Sequence, residues 1–159
     1  MGASGWEYVT EYDGGSVEAA LSRLHEREFA HQYGDGEEYG SIRELWADEE
    51  FMGEAGTHSI LDIQQVVTKA ADPSPRNVDD YGTLRPLARD RILHHFGTDR
   101  PSPEQFEAGL AAAYEAMSVF GNRPDTLIDE CRMRWTGLYV ELFTDGRPTH
   151  LGIFGCSGD

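Results

Sequence analysis

The sequence predicts one α+β domain, spanning residues 1–159, in which about four helices pack on a small antiparallel or mixed sheet of about four strands. Its length of 159 residues is close to the usual size of one domain. Patterns typical of strands lie near both ends of the chain, and patterns typical of helices lie between them. Strand and helix patterns do not alternate regularly, so the sequence does not favour a doubly wound parallel fold.

A strand followed by a helix is predicted at the start of the chain. Residues 7–12 alternate between two faces, as half-buried strands do. Ser16 is a typical N-cap residue, and apolar residues recur after it at helical spacing to about Ala30. One face of the strand holds Trp6, Tyr8, Thr10 and Tyr12, and the apolar face of the helix holds Val17, Ala20, Leu21 and Leu24.

An acidic loop and a short helix should follow. Residues 31–40 are rich in glycine and acid, and the capping-box pattern of residues 41–44 then starts a short helix. Residues 48–50, all acidic, are expected at the C-terminal end of that helix. The helix dipole disfavours acids at that end, so their presence there weakly suggests a functional role.

The middle of the chain is predicted to hold one buried strand, one long loop and two helices. Residues 59–67 are mostly apolar, as in a buried strand, and residues 70–86 form a surface loop. Pro86 suits the first turn of a helix that Gly97 closes. The sequence Ser102-Pro103-Glu104-Gln105 begins the next helix, which Gly121 ends.

A β-hairpin is predicted at residues 134–156. Its Asp145-Gly146 pair favours a two-residue type I′ turn, which would place Glu141 opposite His150 and Tyr139 opposite Gly152. The glycines of residues 152–158 either allow close approach of other groups or belong to a frayed end. In this register one face holds Leu138, Val140, Leu142, Leu151 and Ile153, and the other holds Trp135, Tyr139, Glu141, Phe143, His150 and Phe154.

Negative charge is the most unusual property of the composition. The chain has 29 acidic and 13 basic side chains, a net charge of −16, and residues 1–62 hold 15 of the acids but only 3 of the bases. Such a field repels nucleic-acid phosphates and anionic membranes, and it attracts basic proteins. Solubility alone is the simpler explanation of the charge.

The sequence contains no P-loop, no GxGxxG and no GxSxG pattern. The N-terminal residues lack the basic and apolar regions of a signal peptide, and no stretch of 18 apolar residues occurs, so a cytoplasmic location is expected. We therefore expect neither nucleic-acid nor membrane binding, and we favour a protein without catalytic activity while leaving an enzyme open.

The preferred hypothesis is a non-catalytic acidic protein that binds a basic protein partner, as immunity proteins and antitoxin-like inhibitors do. The acids of residues 31–54 would form the binding surface because the negative charge is most concentrated in the first part of the chain. The predicted partner-binding residues are Asp35, Glu37, Glu38, Asp48, Glu49, Glu50 and Glu54.

The alternative is a small enzyme or a small-molecule-binding accessory protein. Its pocket would lie around His58, Tyr139, Glu141 and His150, with His58, Glu141 and His150 as candidate catalytic groups. On an extended strand Asp62 would lie about 13 Å from His58, too far for a dyad. If helices cover only one face of the sheet, the exposed face of the hairpin would offer the ligand-binding residues Trp135, Tyr139 and Phe154.

Neither a metal nor another cofactor is expected. His94 and His95 are adjacent on a helix, so their side chains diverge by about 100° and should not share an ion. Two cysteines do not form a disulfide framework. Asp129 and Glu130 precede Cys131 and should raise the pKa of its thiol, which argues against a nucleophilic cysteine, and Cys156 should pack as a small apolar residue.

Overall fold

A five-stranded mixed sheet lies at the centre of the protein, and five helices pack around it. The computed structural model describes residues 4–158; residues 1–3, from which part of the signal-peptide prediction comes, and residue 159 lie outside that range. The elements are β1 (Ser4–Glu11), α1 (Val17–Tyr33), α2 (Ile42–Ala47), α3 (Glu49–Glu54), β2 (Gln65–Val66), β3 (Thr83–Pro86), α4 (Arg89–Phe96), α5 (Pro103–Met117), β4 (Thr136–Thr144) and β5 (Arg147–Ser157).

The strands follow the order β1-β5-β4-β3-β2 across the sheet. β5 is antiparallel to both of its neighbours, β1 and β4, whereas β3 is parallel to β4 and to β2. The α+β class with a mixed sheet is therefore confirmed, with one strand and one helix more than the sequence predicts. Within residues 4–158 no helix has both the length and the apolar character needed to cross a bilayer.

Helices cover both faces of the sheet, so of the two arrangements that the sequence leaves open for the hairpin, the covered one is observed. α1 packs on one face through a core cluster, and α4 and α5 pack on the other face through a second cluster. The first cluster includes Trp6, Tyr12, Leu21, Leu24, Ile60, Leu84, Leu151 and Ile153; the second includes Leu87, Phe106, Leu110, Leu127, Val140, Leu142 and Phe154.

The Asp145-Gly146 turn of the hairpin is confirmed, but the predicted register is wrong. Both turn residues have positive φ, at 52° and 75°. A bulge then shifts the pairing, so that Glu141 lies opposite Leu151 and Leu142 opposite His150. Pro148 has no N–H for the ladder, and the N–H of Phe143 donates to the carbonyl of Pro101 at 2.8 Å instead. This shift moves Leu151 and Ile153 to the face that Tyr139 occupies, and Phe154 to the opposite face.

The strand predicted at residues 59–67 is for the most part a tight turn. Ile60–Asp62 forms a 3₁₀ turn, and the Ser59 hydroxyl caps it by accepting a hydrogen bond from the Leu61 N–H at 3.2 Å. Only Gln65–Val66 is extended and paired. A short apolar run does not distinguish a strand from a buried turn, and here the serine cap favours the turn.

The loop predicted at residues 70–86 contains a central strand. Thr83–Pro86 pairs with β4, and Leu84 is fully buried. Pro86 therefore ends a strand instead of beginning a helix, and α4 begins three residues later at Arg89. Gly97 closes α4 in the left-handed region, as predicted. The capping box of Ser102 and Gln105 at the start of α5 is also confirmed, although α5 ends at Met117, before Gly121.

The glycines of β5 fit against large aromatic side chains. A Cβ atom on Gly155 would lie 2.4 Å from the Trp6 ring, and one on Gly152 would lie 2.7 Å from the Phe106 ring. β5 is paired to its last residue, Ser157, and Gly158 is buried. Close approach is thus the correct interpretation of these glycines, and the frayed end is wrong for residues 152–158.

Candidate functional site

The predicted partner-binding residues lie on the loop after α1, at the junction of α2 and α3, and on α3. We call the surface formed by Asp35, Glu37, Glu38, Asp48, Glu49, Glu50 and Glu54 the acidic face. Six of these seven side chains are exposed, and Asp48 is half-buried. Residues 34–54 contain eight acidic side chains and one basic side chain, Arg43.

Asp48 ends α2, as predicted, and it also begins α3, so that Glu49 and Glu50 belong to a second helix. Its carboxylate caps α3 by accepting a hydrogen bond from the Phe51 N–H at 3.0 Å. It also accepts a hydrogen bond from the Tyr39 hydroxyl at 2.8 Å. These two hydrogen bonds lower the pKa of Asp48, and the bond to Asp48 raises that of Tyr39 to about 12. Glu49 and Glu50 lie in the first turn of α3, where the helix dipole favours acids, so the argument from an unfavourable dipole is wrong.

The carboxylates of the acidic face have no basic partner in the structure. Within residues 4–158 every ion pair joins side chains of residues 80–130. Asp35 accepts a local hydrogen bond from the Glu37 N–H at 3.1 Å, and Asp48 acts as a helix cap. The remaining five, Glu37, Glu38, Glu49, Glu50 and Glu54, make no side-chain hydrogen bond in the described part of the chain.

A row of aromatic rings runs beneath the acidic face. The ring centroids of Phe29 and Tyr33 are 5.5 Å apart, those of Tyr33 and Tyr39 are 5.4 Å apart, and those of Tyr39 and Phe51 are 6.1 Å apart. All four side chains are half-buried. Tyrosine and phenylalanine combine apolar area with few rotatable bonds, and they are enriched at protein interfaces. Charge alone does not reveal this row.

The turn at residues 60–62 supports the acidic face from behind. The Trp46 indole of α2 donates to the Leu61 carbonyl at 2.8 Å, and His25 Nε2 of α1 lies 3.2 Å from the Ile60 carbonyl. The rings of His25 and Trp46 meet edge to face at 5.4 Å. Burial lowers the pKa of His25, so this histidine is neutral near pH 7 and its Nε2–H donates to the carbonyl.

Asp62 connects this turn to both β1 and β5. Its carboxylate accepts hydrogen bonds from the Thr57 N–H at 2.7 Å, the Thr57 hydroxyl at 2.9 Å and the His58 N–H at 3.0 Å. A fourth comes from the Ser157 hydroxyl at 2.5 Å, and Ser157 in turn accepts from the Trp6 indole at 3.0 Å. Asp62 is only 4% exposed, so these four donors supply the hydrogen bonds that water would make to an exposed carboxylate.

Residues in the left-handed region surround Asp62. His58 and Trp135 have φ of 54° and 63°, and a Cβ on Gly56 would lie 2.2 Å from the Trp135 ring. Such backbone persists only where surrounding contacts hold it. The hydrogen bond to Asp62 holds His58, and backbone hydrogen bonds with Cys156 and Gly82 hold Trp135. Since the Asp62 carboxylate accepts from the His58 N–H, the distance of about 13 Å that assumes an extended strand is wrong. The His58 ring itself contacts the Ser4 hydroxyl.

The structure separates the residues of the alternative pocket. His58 contacts Ser4, which lies opposite Ser157, whereas His150 lies seven residues earlier on β5, about 23 Å away along the strand. Glu141 accepts from the Tyr12 hydroxyl at 3.1 Å, and Phe154 is buried against Phe106. Trp135, Tyr139 with Glu141, His150 and Phe154 line four different cavities. The structure therefore does not bring these residues together in one cavity.

His94 and His95 do converge, which corrects the argument from their spacing. Their ring centroids are 4.9 Å apart, and one ligand atom from each lies within 4.8 Å of an Asp125 oxygen. The Arg91 guanidinium already pairs with Asp125 at 2.5 Å. Its positive charge opposes a cation at this place, so the cluster is no stronger a metal candidate than the sequence indicates.

Glu130 is the half-buried centre of this cluster. Burial would raise its pKa, but hydrogen bonds from Arg91 at 2.6 Å and from His95 at 2.8 Å outweigh burial and lower it. A carboxylate whose pKa is lowered by folding stabilises the folded state at pH values above its ordinary pKa of 4.5. This contribution is lost as the pH falls through the pKa of the folded state.

We expect Glu130→Gln to be less stable than wild type at neutral pH and about as stable as wild type at acidic pH. The difference in unfolding free energy between the two proteins should shrink steadily as the pH falls below 4.5. Urea unfolding of both proteins at a series of pH values measures this difference. The exposed Glu107→Gln serves as the control and should show little pH dependence of this kind. A difference that is independent of pH would contradict the ionic role of Glu130.

The two cysteines are neighbours, a relation the sequence does not indicate. Their Sγ atoms are 3.3 Å apart. A hydrogen bond from Cys156 lowers the pKa of the Cys131 thiol, and the pKa of Cys156 is raised by the same interaction. The prediction that Asp129 and Glu130 raise the pKa of Cys131 is therefore wrong, because the hydrogen bond with Cys156 lowers it, and these two acids pair with Arg123 and Arg91.

Fold and surface together define a small mixed-sheet α+β protein whose most distinctive surface is acidic and unpaired. The chain matches no protein-family model, no curated protein and no solved structure.

Proposed function

We propose that the protein is a non-catalytic binding protein whose acidic face docks a basic protein, in the manner of an immunity protein or an antitoxin-like inhibitor. The observation that carries the proposal is the absence of any basic partner for the acidic face within residues 4–158. Carboxylates that share one surface without counter-charges repel each other, and a basic partner would relieve this repulsion.

The surroundings of the acidic face also support a protein partner. The aromatic row offers apolar contact area beneath the charges. A cavity of about 300 Å³ adjoins α3 and is lined in part by Met52, Tyr81 and Trp135. Such a recess beside a charged rim can hold one anchoring side chain of a partner. The hydrogen bonds of Trp46, His25 and Asp62 fix the surface before binding, which lowers the entropic cost of association.

The test compares two matched variants. Glu49, Glu50 and Glu54 change to glutamine on α3, and in the control Glu104, Glu107 and Glu115 change to glutamine on α5. Each variant removes three exposed carboxylates from one helix, so both change the net charge equally. Tagged wild-type protein and both variants are incubated with extract of the source cells at about 50 mM and about 500 mM salt.

We expect wild type and the α5 variant to retain the same basic protein at low salt, and the α3 variant to lose it. The retained protein is then purified and its affinity for all three proteins is measured by calorimetry. We expect a loss of roughly tenfold or more for the α3 variant alone, together with inhibition of the partner's own activity by wild type. Equal affinity of the two variants would refute the acidic face as the binding surface.

A further inference from the structure

Cys131 and Cys156 are close enough to form a disulfide bond after a small movement. Their Sγ atoms are 3.3 Å apart, whereas a disulfide bond measures about 2.05 Å. Cys156 lies on β5 opposite Thr136, and Cys131 directly follows the 3₁₀ turn Leu127–Glu130. Both side chains are half-buried and line surface cavities. The geometry therefore satisfies the first requirement for thiol–disulfide chemistry, two sulfur atoms in contact.

Cys131 also belongs to the wall of a cavity that contains three arginines. This cavity has a volume of about 230 Å³ and lies between residues 70–73, the start of α4 and residues 130–132. The arginines are Arg85, Arg91 and Arg132. Its volume is below the roughly 300–1,000 Å³ of pockets for drug-sized ligands, so it suits a small molecule.

Arg85 has an unsatisfied donor at this cavity. The residue is 6% exposed, and its guanidinium donates to the Ala71 carbonyl at 3.1 Å and to Asp80 at 2.6 Å. Its Nε–H is buried and has no hydrogen-bond partner in the described part of the chain. A buried donor without an acceptor costs free energy, so the Arg85 guanidinium is incompletely hydrogen-bonded in the folded protein.

Two of the three arginines already have acidic partners, which leaves Arg132 as the group that can bind an anion. Arg91 pairs with Glu130 and Asp125, Arg85 pairs with Asp80, and Asp72 is exposed. Arg132 is exposed and takes part in no ion pair among residues 4–158. Carboxylates match the planar donor array of arginine in shape and charge. A cavity of this kind is unexpected in a chain with a net charge of −16, and it lies outside the acidic face.

We propose that Cys131 and Cys156 form a thiol–disulfide exchange site for a small carboxylate-bearing disulfide, whose carboxylate binds Arg132 at this cavity. The Cys131 thiolate attacks one sulfur of the small disulfide, forms a mixed disulfide and releases the first small thiolate. That thiolate takes the proton of Cys156. The Cys156 thiolate then attacks the Cys131 sulfur, forms the Cys131–Cys156 bond and releases the second small thiolate, which takes a proton from water.

The exchange leaves the protein oxidised by two electrons and the small disulfide reduced to two thiols. Cys131 is the attacking residue because Cys156 donates a hydrogen bond to its thiolate and because it lines the arginine cavity. Cys156 is the resolving residue because its Sγ lies in contact with that of Cys131. The reverse reaction, with a small thiol, regenerates the two cysteines.

The first experiment follows the protein by mass spectrometry during incubation with dithiodipropionate, a dianionic disulfide. Wild type should lose the mass of two hydrogen atoms, and Cys156→Ser should instead accumulate one mixed disulfide. Cys131→Ser should react much more slowly. Persistence of two free thiols in wild type would overturn the proposal, and so would faster reaction of Cys131→Ser than of Cys156→Ser.

The second experiment tests the role of Arg132 with disulfides of different charge. The protein reacts in turn with dithiodipropionate, with neutral bis(hydroxyethyl) disulfide and with cationic cystamine. Each rate is divided by the rate at which free N-acetylcysteine reacts with the same disulfide. The net charge of −16 alone would favour cystamine. The cavity predicts that dithiodipropionate is preferred by roughly tenfold, that Arg132→Gln abolishes this preference, and that the exposed Arg147→Gln retains it. A preference for cystamine, or one unchanged in Arg132→Gln, would refute the anionic substrate.

Discussion

Replacing Asp62 with alanine is expected to lower the unfolding free energy by about 3 kcal/mol, since it leaves one buried and several half-buried donors without their acceptor. The Thr57 N–H, the His58 N–H and the Ser157 hydroxyl all donate to this carboxylate. Their loss would release the turn at residues 60–62, and with it the support of the acidic face. Urea unfolding measures the effect.

Two other substitutions distinguish the loss of these hydrogen bonds from the loss of a negative charge. Asp62→Asn keeps the shape and one acceptor oxygen, so its loss should be smaller than that of Asp62→Ala. Asp72→Ala removes an exposed aspartate and should change the stability by no more than about 0.5 kcal/mol. If Asp62→Ala were as mild as Asp72→Ala, the hydrogen bonds of Asp62 would not hold the turn.

The same substitution at two glycines should have opposite effects. Gly155→Ala places a Cβ 2.4 Å from the Trp6 ring and 2.6 Å from the Thr136 carbonyl oxygen, inside a paired strand. We expect it to destabilise the protein by about 1–3 kcal/mol, as overpacking does. Gly53→Ala adds a Cβ to open space within α3 and should stabilise the protein by roughly 0.5–1 kcal/mol.

A double-mutant cycle with Trp6→Phe identifies the cause of the Gly155→Ala loss. The smaller ring makes room for the added methyl group, so the double variant should be more stable than the sum of the two single losses predicts. Additive losses would show that the carbonyl of Thr136, and not the Trp6 ring, opposes the methyl group.

Helix starts and tight turns could be predicted from the sequence, because residues close together in the chain determine them. Ser16 and Ser102 cap the helices that they were predicted to begin, and Asp145-Gly146 forms the predicted turn. β3 was missed because a central parallel strand of four residues leaves little periodic pattern. The hairpin register failed because the bulge depends on Pro148 and on a hydrogen bond to Pro101, 42 residues away from Phe143.

In the candidate sites, too, features set by single residues could be predicted, and contacts between distant residues could not. The exposure of Glu37, Glu49 and their acidic neighbours followed from charge, since isolated carboxylates are rarely buried. The network between Asp62 and Ser157 joins residues 95 positions apart, and no local pattern indicates it. The contact of Cys131 with Cys156 depends in the same way on how β4 and β5 place the end of the chain against the residues that follow α5.

The position of β5 between β1 and β4 determines the order in which this protein can fold on the ribosome. β1 pairs with no other strand in the described chain, and its partner β5 is synthesised after the four other described strands. While the ribosome still holds β5, the first strand has no neighbour, and Asp62 lacks the hydroxyl of Ser157. The sheet can therefore form completely only after residue 157 has been synthesised. Because the pairing of β1 with β5 joins distant parts of the chain, we expect slow folding.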